Sequence, residues 1–199
     1  MQLPLARTDY ESAYRSGVSF GEFLRDATAQ RAQWDAFAPR APLVQEAVDR
    51  IRRAGGCWRL LVLADDWCGD AVNILPILAR LEAALPNLEL RIVPRDRYPE
   101  IRDRYLTNGT RSIPIAILLD GMGKPRGHWG PRPAQLQRRF EQELKGLPSE
   151  ERYREVRRWY AVDQGRSIAH ELATLIERSA AATPALELRS GPCYGERAA

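Results

Sequence analysis

The chain has 199 residues, 44% of them hydrophobic, and a formal net charge of +4. That length supports one buried core with helical additions, while no apolar run reaches the roughly 20 residues needed to cross a bilayer. Residues 1–15 carry no apolar signal core ahead of their charges. Three scattered cysteines form no disulfide framework, so a reducing, cytoplasmic setting is expected. The basic residues are mostly Arg, alternating with acids as in residues 150–158, the pattern of a solvated helix face. Neither nucleic acid nor membrane is an expected partner.

Residues 8–38 read as one or two short helices. Tyr10, Tyr14, Phe20, Phe23 and Leu24 are their apolar anchors, and Ser19 with Glu22 three residues on has the form of a capping box. Trp34 and Phe37 follow before Pro39 and Pro42 break the pattern. These aromatics are expected to pack in the core rather than line a ligand pocket. Residues 43–53 form an amphipathic helix, with Leu43, Ala47, Val48 and Ile51 on one side and Gly55-Gly56 at its end. No clear strand precedes it.

Cys57 opens the first strand, whose apolar run, Leu60-Leu61-Val62-Leu63-Ala64, is short enough for a buried strand. Asp65 and Asp66 end it. After Trp67 and Cys68, helical spacing takes over at Val72, Leu75, Leu78, Ala79 and Leu81. Cys68 therefore lies where a strand hands over to a helix. The first-turn N–H groups are unpaired there and the helix dipole favours negative charge, which lowers a thiol's pKa. The alternative is a small buried hydrophobe. Asp70 suits the helix dipole but opposes a thiolate beside it, so the sign of the shift stays open. Cys57 cannot pair with Cys68, because the strand between them spans roughly 25 Å and a disulfide needs Cα atoms within about 7 Å. Cys57 is expected to be structural.

The helix after Cys68 ends near Leu85-Pro86-Asn87, and residues 88–93 make a second strand, parallel to the first across a right-handed crossover. Residues 99–106 read as a short helix opened by Pro99. Asn108-Gly109 turns the chain into Ile113-Pro114, where a proline opens an apolar run. Strands over 115–119 and about 126–129 form a hairpin around residues 121–124. His128 could act as a base near Cys68 or simply pack. With one histidine here and no cysteine cluster, no metal site is expected. Arg132 could receive an anion or hold structure. Helices are expected over 134–144, over 148–162 and from Ser167 onward. The composition loosens beyond Ala180, and Cys193 lies in a tail from which it could reach Cys68, in the same chain or a neighbour.

Trp67-Cys68-Gly69 at a strand–helix junction, Pro76 within the helix, and Ile113-Pro114 before a strand–turn–strand about 45 residues later resemble the thioredoxin superfamily. Trp129-Gly130-Pro131-Arg132-Pro133 is similar to a motif of its one-cysteine members. The resemblance implies a thioredoxin-like α/β fold: a central mixed four-stranded sheet flanked by helices, with extra N-terminal and C-terminal helices. Its divisions would be a helical extension over 1–56, a core over 57–146, further helices over 147–180 and a tail over 181–199. It also implies a cis Ile113–Pro114 bond whose loop docks substrate beside Cys68. Two departures stand out. Ala71 occupies the place of the resolving cysteine, and Val62 that of the family's buried carboxylate.

What the resemblance implies is a monothiol thiol–disulfide oxidoreductase without a bound cofactor. Cys68 would be the nucleophile, Trp67, Gly69, Asp70, Ile113 and Pro114 would bind substrate, and Arg132, His128 or Cys193 would be accessory. The partner would be a protein disulfide or small thiol, with glutathione as co-substrate, and the extra helices would also allow a homodimer. A non-catalytic binding module on the same fold is the alternative. A thiol sensor or iron–sulfur carrier ranks lower, because Asp70-Ala71 replaces the Phe-Ser of one-cysteine glutaredoxins.

Overall fold

The computed structural model describes residues 7–184. Its centre is a four-stranded sheet built from β1 (Trp58–Leu63), β2 (Leu88–Val93), β3 (Ile115–Asp120) and β4 (Pro125–Trp129). The spatial order is β2-β1-β3-β4. β1 runs parallel to β2, while β3 is antiparallel to both β1 and β4. Every residue of β1 and of β3 is buried, as expected of central strands covered on both faces. The hairpin is closed by Asp120, whose carboxylate accepts from the N–H groups of Met122 and Lys124 and pairs with Arg126 at 2.6 Å.

Between β1 and β2 lies α5 (Gly69–Ala84). Its apolar residues bury Val72, Ile74, Leu75, Ile77, Leu78 and Leu81. Pro76 stands inside it, where it removes one backbone donor from the ladder. The helix after β2 is much shorter than its sequence suggests: α6 covers only Pro99–Arg102. Beyond it, Thr107 and Thr110 bridge to each other in a tight turn instead of extending the helix.

The segment before β1 contains α1 (Arg7–Arg15), α2 (Phe20–Asp26), α3 (Arg31–Phe37) and α4 (Gln45–Ala54). There are thus three short helices before α4, not one or two. The Ser19–Glu22 capping box is formed at the start of α2. Instead of an opening strand, a single antiparallel bridge joins Val18 to Ile92, with both hydrogen bonds at 2.9 Å. One residue pair has no periodicity, so no sequence pattern marks it. Tyr10, Tyr14 and Trp34 are buried in the core.

After β4 come α7 (Ala134–Arg139), α8 (Ser149–Asp163) and α9 (Arg166–Ala181). The expected helix over 134–144 is helical throughout, but its last turn, Phe140–Leu144, widens to π geometry, with the Lys145 N–H reaching the Phe140 carbonyl at 2.8 Å. α9 packs against α4, β4 and α5. It buries Ile168, Leu172, Ala173 and Ile176 and pairs Glu177 with Arg50 of α4 at 2.6 Å. No helix among the described residues is long and apolar enough to cross a membrane.

Candidate functional site

β1 ends at Leu63, opposite Ile115 of β3, so the loop after β1 and the loop before β3 emerge together at one end of the sheet. Cys68 is the N-cap of α5 and sits in the first of these loops. Ile113 and Pro114 sit in the second, and the bond between them is cis. The Cys68 thiol is 7% exposed and donates to the Ile113 carbonyl at 3.4 Å. Trp67 beside it is 51% exposed, with the Arg95 guanidinium 5.2 Å from its ring centre.

Asp70, one residue into α5, is buried. Its carboxylate pairs with Arg132 at 2.6 Å and accepts from the Tyr160 hydroxyl of α8 at 2.9 Å. Arg132 also lies over the Phe140 ring at 3.9 Å, which places the widened turn of α7 under the guanidinium. Burial raises the Asp70 carboxyl above the ordinary carboxylate value, against the pull of Arg132 and Tyr160. The same surroundings act on the thiol. Burial first, and then the Asp70 charge, push Cys68 up to about 11, outweighing the N–H groups of Ala71 and Asp70 and the Arg132 charge. The helix N-terminus is present, but desolvation exceeds its effect.

The run from Trp129 to Pro133 frames this arrangement. Gly130 has φ +117, and a Cβ there would lie 2.3 Å from the Pro114 carbonyl oxygen. Only glycine lets the two loops approach so closely. The Trp129 indole N–H donates to Glu171 of α9 at 2.7 Å, and Glu171 also accepts from the Ala134 N–H at 2.9 Å, capping α7.

The N-terminal helices reach the cysteine from the other side. The N–H groups of Thr28 and Ala29 donate to Asp66 at 2.8 Å each. Burial alone would raise this carboxyl, but those N–H groups hold it below its ordinary value. The Trp34 indole donates to the Asp66 carbonyl at 3.0 Å, and the Gln30 amide donates to the Trp67 carbonyl. A groove of about 700 Å³ opens above Cys68. Its lining comes from α3, the first turn of α5, the stretch 111–113, Arg132 and α8.

Of the residues expected at the site, Trp67, Cys68, Gly69, Asp70, Ile113 and Arg132 line one groove, and Pro114 continues the same loop. Arg132 is committed to Asp70 as an ion-pair partner rather than standing free for an anion. His128 is outside the groove: it faces Ile117 across the hairpin and its ring lies 4.9 Å from Tyr105, so it is not a base for Cys68. Cys193 lies outside the described residues. Cys68 is the free thiol among the described residues. No group of three or more metal-ligating side chains occurs among them. Tyr160, Gln30 and Arg157 escape the sequence reading. The one local sign for Tyr160 is a hydroxyl-bearing residue four after Val156 on the buried face of α8.

A mixed sheet in this order, with a cysteine capping the helix after β1 and a proline loop against it, defines a thioredoxin-like α/β protein. The model of the family described as Thioredoxin matches residues 17–145, and the chain belongs to that family. Two solved structures share the fold. A protein of unknown function from Pseudomonas aeruginosa is 22% identical with a TM-score of 0.66, over 85% of this chain and 98% of that one. An HIV epitope-scaffold is 21% identical with a TM-score of 0.56, over 86% and 95%. No curated protein matches the chain.

Proposed function

We propose that this protein is a monothiol thiol–disulfide exchanger acting through Cys68, with an external thiol such as glutathione completing the cycle. The observation that carries the reading is the free Cys68 thiol at the base of the groove, against Ile113 and at the N-terminus of α5. In the first step the Cys68 thiolate attacks a substrate disulfide. A Cys68–substrate disulfide forms, and the other substrate sulfur leaves as a thiolate. In the second, glutathione thiolate attacks the substrate sulfur of that mixed disulfide. A glutathione–substrate disulfide leaves, and Cys68 takes up a proton. The substrate is a protein disulfide or the disulfide of a small thiol, met in a compartment with a thiol pool such as the cytoplasm.

A thiol that keeps its proton to about pH 11 attacks slowly and leaves slowly. The mixed disulfide is therefore expected to be long-lived. That same observation, with Ala71 in place of a second cysteine, favours a second reading, a thioredoxin-fold binding module without turnover. Incubation with glutathione disulfide between pH 7 and 10, followed by mass spectrometry, separates the two. An adduct on Cys68 that reduced glutathione removes, absent in Cys68→Ser, supports exchange. A folded protein that gains no adduct across that range is a binding module.

A further inference from the structure

We propose that the groove above Cys68 selects a small organic anion with an apolar body, and that α3 and α8 make that selection. For the exchange reading this makes the substrate the disulfide of a small anionic thiol with an apolar body, and it rests on that reading for its purpose. The binding itself is tested without the thiol.

The walls carry apolar side chains from three helices: Phe37 of α3, Val72 of α5, and Val156 and Ala161 of α8. The charged lining is one-sided, consisting of Arg95, Arg111, Arg132 and Arg157 against Asp70 alone. Asp70 is already matched by Arg132. Arg95 and Arg111 pair with Asp96 and Asp103, at 2.8 and 3.1 Å, and neither of those acids lines the groove. Arg157 is exposed and makes no ion pair with a described residue. A ligand in the groove thus meets guanidinium groups and no unmatched carboxylate. Arg in a partly desolvated setting favours carboxylates, sulfonates and phosphates. The volume of about 700 Å³ suits a small molecule, and the contribution of both α3 and α8 narrows access for a folded protein.

The test uses the Cys68→Ser protein and three probes with one aromatic body: 1-naphthoate, 1-naphthylmethanol and 1-naphthylmethylamine. Titration calorimetry at low salt should show the anion binding at least about tenfold more tightly than the alcohol or the amine, a difference of about 1.4 kcal/mol. Arg157→Gln should remove most of that preference. Ala161→Trp, at an exposed position on α8, should fill the groove and abolish binding. Equal affinity for the three probes, no binding at millimolar concentration, or naphthoate binding that survives Ala161→Trp would each overturn the proposal. In the wild type, naphthoate should slow Cys68 alkylation in proportion to occupancy. Failure of glutathione exchange leaves these binding results intact, so the two readings fail separately.

Discussion

Cys68 keeps its proton because burial and the neighbouring Asp70 carboxylate both act against the thiolate. With the value moved from 9.0 to about 11, the thiolate fraction at pH 7 falls about a hundredfold, while each thiolate becomes about 6–10 times more nucleophilic. Iodoacetamide should therefore modify Cys68 at least ~10 times more slowly than a free cysteine. Asp70→Asn should recover part of that rate by shifting the profile to lower pH. A rate equal to that of a free cysteine would show that the thiol is not held in this way. The shift also enters stability. A pKa raised on folding stabilises fully below the unfolded value of 9.0 and is lost as pH rises through about 11. The change is about 3 kcal/mol across that window. Urea unfolding of wild type and Cys68→Ala should converge in that direction as pH rises from 9 to 11.

At the level of the elements, the loop before β3 and the turn after β4 fit together through Gly130. Gly130→Ala places a Cβ 2.3 Å from a backbone oxygen at φ +117, costing about 1–3 kcal/mol in backbone strain alone. Chemical denaturation checks this, and an unchanged midpoint would mean the Pro114 loop has room to move. Local patterns made much of this scale legible. The apolar runs give β1 and β2, the switch from strand to helical spacing marks Cys68, and Ser19 with Glu22 gives the cap of α2. What stays hidden is set by distance along the chain. Asp70 meets Arg132 and Tyr160 across 62 and 90 residues, and no periodicity in α5 or α8 requires either pairing. The groove draws on α3 and α8, neither of which carries a motif residue, so the motif shows its base and not its walls. Arg132 and Asp70 are each visible near the site in the sequence, but that they pair is visible only in the fold.

Across the whole molecule, the segment matching the thioredoxin pattern is not self-sufficient. Val156, Tyr160, Ile168, Leu172 and Ile176, all from α8 and α9, are buried. At ~1.5–3 kcal/mol per buried side chain, their loss is comparable with the ~5–15 kcal/mol that holds a typical domain folded. A chain ending at Leu147 should thus fail to give a cooperative thermal transition, and a sharp transition near that of the full chain would refute the dependence. The two acids around the cysteine carry a related implication. Asp66 is gripped by the segment ahead of α3, and Asp70 by Tyr160 of α8. The short stretch between them is therefore a tie rod anchored to the loop ahead of α3 on one side and to α8 on the other. Cys68 cannot swing outward to meet a partner; whatever reacts with it must come in.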